Sequence, residues 1–507
     1  MRTDANMLVP VQLPPGIVRA NTPYDTPGSW WDTNLVRWKS GTLLPIGGNQ
    51  RITGTPLDSS VRKLHIFRDN SNSLFTLVGT TSKLWLSQSG FADITPAGLV
   101  SLSTIGVYGG YGTFGYGVGT YGTHRPQPSP FYSPYAYWTF ANWGQDVILT
   151  NNADGRLFYY ASSTPTTAPT VISTAPIGNG AVLVTNERYV LAVGQTGGGG
   201  TLRRVAWSSR EDYSDWNFAS TTNTAGYQDL PTRTPLLKGV GVREGVLIFS
   251  YSEAYLAQFV GQPYNYGFTY IGDTEMFNPD SVATFNGKAV WPSRTGFQLY
   301  SGGFIQPLPC PFWDEIVAEM DPLYGPFGIH GCDNGAHPEI WWFYATVGNT
   351  TPNRYVIWNY QENWWAWGYM SRTAMAPGEV YQYPIMGDAD GNVFQHEVGY
   401  TDSGVTRVGQ VYAETGALGL GNGDQGIEIS QALPATGTGA TALRMQFFTR
   451  MAPEGAERTF GPYTPRADGY TDVRVSGREA RMRFVAAQDG PFGVGKMRFD
   501  VASGPGR

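Results

Sequence analysis

The stretch VILTNNADGRLFYY (147–160) decides the fold, because its pattern recurs along the chain. Two β-branched and aromatic runs flank a polar turn, which is the pattern of a β-hairpin. The stretch YPIMGDADGNVFQHEV (383–398) repeats it, with DADGNVF at 388–394 parallel to NADGRLF at 152–158. In both stretches Asp-Gly supplies the positive-φ turn that matches the twist of paired strands.

Five more hairpins of this kind occur in the chain, at 74–86, 189–207, 246–260, 289–300 and 340–358. Successive starts lie 73, 42, 57, 43, 51 and 43 residues apart, and removing the unusual 32-residue segment 106–137 reduces the first gap to 41. Four-stranded propeller blades recur at about 40–50 residues. We therefore predict a mainly β chain built around an irregular β-propeller of six or seven blades. A pair of β-sandwiches is the alternative.

The composition also favours a β-rich fold over a helical or a disordered one. The 507 residues include 65 Gly, 35 Pro and 14% aromatic residues. Gly and Pro are costly inside helices, and abundant apolar and aromatic residues oppose disorder. The sequence shows neither a signal peptide nor a run of about 18 apolar residues. We therefore expect a soluble chain that is made in the cytoplasm.

The sequence changes character on both sides of the blade pattern. Residues 1–60 are rich in Pro and Trp, and we interpret them as an extended arm with few regular strands. The propeller platform then spans 61–400, with one short helix predicted at 311–323 as a decoration between blades. Alternating strands predict a C-terminal antiparallel β-sandwich over 401–507. Its outward positions carry Arg444, Arg474, Arg481, Arg483 and Arg498.

Charge is distributed unevenly along the chain. Residues 1–68 contain 8 basic and 4 acidic residues, and residues 444–507 contain 11 and 7, so each end carries +4. Residues 69–443 contain 15 basic and 29 acidic residues, a net charge of −14. An acidic body does not attract nucleic acid, because affinity for phosphate depends on clustered Lys and Arg. The body suits the wall of a channel that DNA passes without binding, although ordinary solubility charge explains it equally well.

Three segments carry a resemblance to a known family. The segment 13–52 contains a Pro-Gly turn, an aromatic-Asp-Asn-Leu-Val-Arg run at 31–37 and a Gly-Gly turn. WSSR followed by DW at 207–216 is a second element, and the arginine-alternating strands of 480–503 are the third. In these elements the chain resembles tail nozzle, or tail-hub, proteins of short-tailed bacteriophages, including the packaged-DNA stabilisation and tail tubular B types. The resemblance does not extend over 106–137.

This resemblance implies a structural role in the virion tail. Nozzle proteins form a ring, usually six-fold, below the adaptor ring on the portal, and the axial channel of the ring retains genomic DNA and later releases it. The resemblance further implies contacts with tailspikes or tail fibres and with a needle or plug. No enzymatic activity, cofactor or metal is implied.

Residues suited to metal binding are present but poorly spaced. Cys310, His330, Cys332 and His337 have suitable donor atoms, yet no CxxC pair or zinc-finger spacing occurs, and we expect reduced, partly buried thiols. The 388–394 turn offers carboxylates, but its glycine stands at the fourth position and not at the sixth, as a calcium loop requires. We interpret that turn as a tight hairpin.

Carbohydrate binding or cleavage is the alternative function. Sugars stack on aromatic rings, and hydrolysis needs two carboxylates about 5–9 Å apart. The candidates are Trp341, Trp342, Trp364, Trp365 and Trp367 with Asp273, Glu275, Asp314 and Glu315. The competing interpretation is that these Trp residues fill the wedges between blades. No G-x-S-x-G elbow, Walker A motif or basic-aromatic patch points to another enzyme or to nucleic-acid recognition.

The Gly/Tyr-rich segment 106–137 is the candidate interface. Its aromatic residues alternate with Gly, a composition that suits adaptable binding surfaces. We predict that this loop docks a neighbouring subunit, fibre or tailspike; packing of its aromatics against the propeller rim is the alternative. The interface candidates are Tyr108, Tyr111, Phe114, Tyr116 and Tyr121.

Overall fold

The computed structural model describes six parts of the chain. They are residues 8–19, 22–102, 137–420, 426–435, 442–452 and 454–503. The predicted N-terminal arm contains five short strands: β1 (Leu8–Val11), β2 (Trp30–Asn34), β3 (Val36–Lys39), β4 (Thr42–Pro45) and β5 (Asn49–Arg51). β3 and β4 pair with each other, while the other three complete sheets whose remaining strands lie hundreds of residues away.

Four antiparallel sheets of four strands follow, and we number them blades 1 to 4. Blade 1 contains β6 (Val61–Arg68), β7 (Leu74–Thr80), β8 (Leu84–Ser87) and β9 (Phe91–Asp93). Blade 2 contains β10 (Trp138–Trp143), β11 (Asp146–Asn151), β12 (Phe158–Tyr160) and β13 (Thr170–Val171). Blade 3 contains β14 (Asn179–Val184), β15 (Val190–Gln195), β16 (Arg204–Trp207) and β17 (Gly226–Asp229). Blade 4 contains β18 (Leu236–Val242), β19 (Gly245–Ser250), β20 (Glu253–Gly261) and β21 (Asn265–Asp273).

Three further sheets complete the propeller. After a 3-10 turn at Pro279–Ser281, blade 5 contains β22 (Ala283–Phe285), β23 (Lys288–Ser293), β24 (Gly296–Ser301) and β25 (Phe304–Leu308). Helices α1 (Trp313–Glu319) and α2 (Tyr324–Gly328) precede blade 6, which contains β26 (His330–Asp333), β27 (Glu339–Tyr344), β28 (Arg354–Asn359) and β29 (Trp364–Tyr369). Blade 7 contains β30 (Ala374–Ala376), β31 (Ile385–Gly387), β32 (Val393–His396) and, as its outer strand, β5.

The first strands of successive blades contact one another in sequence, and β30 of blade 7 contacts β6 of blade 1. The ring of blades is therefore closed, and the predicted propeller is confirmed with seven blades. Each of the seven hairpins predicted from the sequence forms the second and third strands of one blade. The second strands of the blades, such as β15 and β27, are buried along most or all of their length, which explains their continuous apolar sequence. The helix predicted at 311–323 is also confirmed as α1 between blades 5 and 6.

The propeller has two distinct faces. In a four-stranded antiparallel meander, the first and third turns lie at one end and the second turn and the exit lie at the other. We call the end with the first and third turns the hairpin face, and the end with the blade-to-blade connections the crossover face. Helices α1 and α2 lie on the crossover face.

The C-terminal sandwich draws strands from both ends of the chain. Its own strands are β33 (Tyr412–Thr415), β34 (Ile427–Pro434), β35 (Leu443–Arg450), β36 (Arg458–Tyr463), β37 (Thr471–Gly477), β38 (Glu479–Ala486) and β39 (Met497–Ser503). One sheet has the order β2-β33-β38-β35-β36, and the other has the order β1-β39-β34-β37. β37 alternates buried and exposed residues along its full length, as predicted. On β38 the prediction was wrong for Arg481, which is buried and paired with Glu414 and Glu457.

One apolar core joins the sandwich to the propeller. It contains inward residues of both sandwich sheets, such as Phe447 and Phe499, together with Trp342 and Phe297 of blades 6 and 5. The N-terminal Trp38 is buried in the same core. Arm, propeller and sandwich are thus packed as one unit. No helix in the described parts is both long and apolar enough to span a membrane.

Candidate functional site

The interface residues predicted in the Gly/Tyr-rich segment, Tyr108, Tyr111, Phe114, Tyr116 and Tyr121, lie outside the described residues. The described residues next to these positions, Leu102 and Tyr137, are held by hydrogen bonds. Leu102 is buried, and its N–H donates to Thr81 O at 2.7 Å. Tyr137 is also buried, and its hydroxyl donates to Leu237 O at 2.6 Å. Both belong to the connection between blades 1 and 2, so both lie on the crossover face.

The segment that resembles the start of nozzle proteins forms a clasp, β2 to β5 (residues 30–51), against blades 6 and 7. Arg37 lies at its centre: Nε is 2.9 Å from a carboxylate oxygen of Glu339, and Nη2 is 2.5 Å from Glu397. Burial alone would raise the pKa of Glu397, but the Arg37 guanidinium outweighs it and lowers that pKa to about 2. At Glu339 the effect of burial is larger than that of the Arg37 charge, so the pKa of Glu339 is raised. The arm is therefore fixed to the propeller by a buried cation between two carboxylates.

Stacked rings extend this attachment along blade 6. The Arg19 guanidinium lies 4.4 Å from the Trp31 ring and 4.6 Å from the Trp367 ring. Arg354 lies 4.2 Å from Trp367 and 4.0 Å from Tyr369. Cation–π contacts of desolvated guanidinium groups are each worth about 2 kcal/mol. This alternating stack joins the arm to the outer strand of blade 6.

The second resembling element, at 207–216, packs in the wedge between blades 2 and 3. Tyr213 stacks on Tyr159 of blade 2 with ring centres 4.4 Å apart. Trp216 is buried in the core between these blades, and its Nε1 donates to Tyr213 O at 2.7 Å. Trp207 is buried in the core between blades 3 and 4, and its Nε1 donates to Thr224 O. The two tryptophans of this element are therefore packing residues, whereas Arg210 is exposed.

Ion-paired side chains meet at the propeller axis. Lys63 of blade 1 reaches Asp280 beside blade 5 at 3.0 Å, and Lys238 of blade 4 lies 3.5 Å from the same carboxylate oxygen. Burial and the charge of Lys63 lower the pKa of Lys238 to about 8. Burial alone would raise the pKa of Asp280, but the two ammonium groups outweigh it and lower that pKa. Because blades 1 and 5 are not neighbours, this cluster crosses the axis near the crossover face.

The residues considered for metal binding are dispersed. His330 and Cys332 lie on β26, Cys310 lies between β25 and α1, and His337 lies 3.8 Å from Glu397 on the hairpin face. Burial raises the pKa of the Cys332 thiol to about 12. In the parts of the chain that the structure describes, no three His, Cys, Asp or Glu residues group as metal ligands would.

The turn at 388–392 adopts the hairpin geometry that we favoured over a calcium loop. One carboxylate oxygen of Asp388 accepts the backbone N–H groups of Asp390 (3.0 Å) and Asn392 (2.8 Å). The other accepts Asn392 Nδ2 at 3.0 Å. Gly391 has φ +83°, and a Cβ atom there would lie 2.8 Å from Leu57 O. The carboxylate is therefore used to close the turn.

The five tryptophans considered for sugar stacking are all buried, with at most 4% of each residue exposed: Trp341, Trp342, Trp364, Trp365 and Trp367. Their environments agree only in part with the interpretation that they fill the wedges between blades: Trp342 packs against Phe297 of blade 5, whereas Trp364 packs against Trp38 of the N-terminal arm. The candidate acids are all on the crossover face. Asp273 pairs with Arg233 at 2.6 Å, Glu275 follows it in the connection to blade 5, and Asp314 and Glu315 form the first turn of α1.

Sequence reasoning missed an exposed aromatic knob on the hairpin face. It consists of Phe259, Val260 and Tyr264 at the tip of the β20–β21 hairpin, and their exposed fractions are 40%, 58% and 75%. Tyr266 anchors the tip, because its ring lies 5.4 Å from both Tyr189 and Trp207. The only signal in the sequence was the length of the apolar run of β20, which continues beyond the residues that pair with β19.

An apolar groove of about 470 Å³ lies on the opposite, crossover face. Blade 4, blade 5 and the two helices form its walls. The apolar lining includes Tyr251, Met276, Phe277, Val317, Met320 and Phe327. Arg294 stands exposed at its rim. Because these residues come from four separate segments, no local pattern in the sequence could reveal the groove.

Comparisons with known proteins find distant likenesses among solved structures only. No protein-family model matches the chain, and no curated protein does. The chain is similar to the WD40 domain of Neurospora crassa Pan2, at 10% identity and a TM-score of 0.40 over 70% of this chain and 94% of that one. Virginiamycin B lyase from Staphylococcus aureus has the same identity and TM-score over 70% and 99%. YCF48 bound to a D1 peptide has 7% identity and a TM-score of 0.38 over 72% and 99%.

Proposed function

We propose that this chain is a structural protein of a short bacteriophage tail, of the nozzle or hub type. Six or so copies form a ring below the portal adaptor, retain the packaged DNA, conduct it during ejection and hold tailspikes or fibres. The role is mechanical and electrostatic, and it involves no catalysis or cofactor. The protein is made in the host cytoplasm and ends up in the virion tail.

The observation that carries the proposal is the architecture of the resembling segments. Residues 13–52 and 480–503, which lie at opposite ends of the sequence, are interlocked in one unit. β2 of the first segment belongs to the same sheet as β38 of the second, and β1, which immediately precedes the first segment, pairs with β39. The same N-terminal segment supplies β5, which completes blade 7. A chain whose arm ties platform and sandwich together suits a load-bearing part of an assembly through which DNA is forced.

The ion-paired cluster at the propeller axis favours a passage for DNA between subunits over a passage through each propeller. The axis of the propeller is crossed by Lys63, Asp280 and Lys238. A DNA channel therefore requires several copies around a common axis, with the acidic body repelling the phosphate backbone. A closed ring needs two different complementary surfaces on each subunit.

Carbohydrate binding or cleavage is not retained as a second proposal. Its main support was the set of tryptophans available for stacking on sugars, and all five are buried. A buried indole cannot present its face to a sugar without opening the core.

Immunogold electron microscopy tests the proposal. Antibody raised against the purified chain is applied to particles of a phage whose genome encodes it, and pre-immune serum is the control. Gold confined to the distal tail is the expected result. Unlabelled particles, with the protein free in the lysate, would overturn the proposal.

A further inference from the structure

We infer that the aromatic knob of one copy inserts into the apolar groove of a second copy, with the Tyr264 ring against Arg294. This inference rests on the proposed ring and names the contact between its neighbouring subunits. Knob and groove both belong to the sector of blades 4 and 5, but they lie on opposite faces. A contact between them is head-to-tail, and its repetition closes a ring when the rotation between neighbouring copies divides a full turn evenly without translation along the ring axis.

The knob has the features of an interface anchor. Tyr264 is the most exposed large hydrophobic residue of the described chain, at 75%. Its support is rigid: the hydroxyls of Tyr266 and Thr185 are 2.9 Å apart, and Asn265 Nδ2 donates to Thr224 O at 2.9 Å. A rigid aromatic tip loses little conformational entropy when it binds, which is why Tyr dominates interface hot spots. Water is a poor environment for this tip, and a matching apolar cavity stabilises it.

The groove offers such a cavity. Its volume of about 470 Å³ falls within the ~300–1,000 Å³ range of pockets that bury small organic groups, so two rings and an isopropyl group are of suitable size. Val317 in its wall is 47% exposed, so apolar surface remains to be covered. Arg294 makes no ion pair among the described residues, and a guanidinium of this kind stacks readily on a Tyr ring. Tyr and Arg are also the residue types enriched at hot spots.

Self-complementarity favours a second copy as the partner of the knob, because each copy carries both an exposed aromatic tip and an apolar groove with an exposed guanidinium at its rim. The net charge of −14 on segment 69–443 opposes binding to an anionic membrane surface, and because it is the same on both copies it does not itself drive their association. Each bound copy also presents a free knob or a free groove, which allows the contact to propagate.

Complementary variants test the pairing by sedimentation velocity of the purified full chain. Tyr264→Ala removes the knob tip, and Val317→Asp places a carboxylate in the groove. The matched controls are Tyr270→Ala, an exposed aromatic on the same hairpin, and Val347→Asp, an exposed valine outside the groove. We expect the wild type and both controls to form species larger than the 55.4 kDa monomer as concentration rises. Each test variant alone should remain monomeric.

The decisive sample is a 1:1 mixture of the two test variants. Tyr264→Ala keeps an intact groove and Val317→Asp keeps an intact knob, so the mixture has one working contact and should form dimers that cannot grow. A wild type that stays monomeric, or a mixture that stays monomeric while the wild type assembles, would overturn the inference. Rings that form equally well with both variants would also overturn it but leave the nozzle proposal standing. Absence of immunogold label on tails, in contrast, is the failure of the nozzle proposal itself.

Discussion

Replacing Arg37 with Leu should destabilise the chain more than any surface charge substitution. The change leaves Glu339 and Glu397 buried without their cation, and breaking a buried ion pair in this way typically costs about 3–5 kcal/mol. The structure gives a similar magnitude independently. A pKa of about 2 for Glu397, against the ordinary value of 4.5, corresponds to roughly 3 kcal/mol of stabilisation at neutral pH.

The same reasoning fixes the pH dependence. Since the pKa of Glu397 is lowered in the folded protein, its contribution is fully present above about pH 4.5 and is lost as the pH falls towards 2. Without Arg37, burial should raise the pKa of both carboxyl groups, so acidification from pH 8 to pH 5 protonates them and restores part of the loss. In the wild type, burial and the charge of Arg37 lower the pKa of His337 to about 4, so this imidazole is neutral from pH 8 to pH 5; the substitution removes the second of these two causes.

Urea unfolding followed by tryptophan fluorescence at pH 8 and pH 5 measures both effects. The matched control is Arg466→Leu, which removes an exposed ion pair and should cost less than about 1 kcal/mol. Combining Arg37→Leu with Glu339→Gln and Glu397→Gln should recover most of the lost stability, since no buried charge then remains unpaired. A loss below about 1 kcal/mol at pH 8, or an equal loss at both pH values, would refute the reasoning.

Three more outcomes are expected. Gly79→Ala should lower the free energy of unfolding by about 1–3 kcal/mol, because its Cβ would lie 2.5 Å from an indole ring of blade 2. The control is Gly90→Ala, whose Cβ meets nothing within 4 Å, and chemical denaturation compares the two variants. Asp280→Asn leaves two buried ammonium groups without a carboxylate and should cost about 3–5 kcal/mol, whereas Lys238→Met should cost much less; thermal scans rank them. Replacing 103–136 with a short Gly-Ser linker should keep a folded monomer but weaken assembly into tails, which circular dichroism and particle complementation measure; loss of soluble monomer would contradict this.

The sequence was most informative where strands are buried on both faces. β27 and β28 of blade 6 are buried at every position, so their apolar runs are continuous and the turn between them stands out. The first and fourth strands of the blades are shorter or more exposed. β22 has three residues, and β17 is largely exposed, so neither has a pattern that separates it from a loop. The number of blades could therefore be predicted from the sequence, whereas the first and fourth strands of each blade could not.

The candidate surfaces were least accessible to sequence reasoning, because each joins segments that are distant in the chain. The cluster at the axis combines Lys63, Lys238 and Asp280, which lie in three unrelated sequence contexts. The only sign of this cluster in the sequence was a lysine within an apolar strand, as in LLKGV. The Gly/Tyr-rich segment attracted attention through composition, whereas the knob owes its significance to exposure, which composition does not report.

The position of β5 has a consequence for how the chain must work. β32 would be an open edge without it, and exposed edges pair with other chains. Residues 49–51 therefore protect residues 394–396, although more than 340 positions separate them. The same arm continues through Arg37 to the two sandwich sheets, so a force that pulls the sandwich away from the propeller also pulls on the strand that closes the ring of blades. Resistance to such a force then depends on buried ion pairs and strand pairing together, and the proposed conduit for pressurised DNA would require this property.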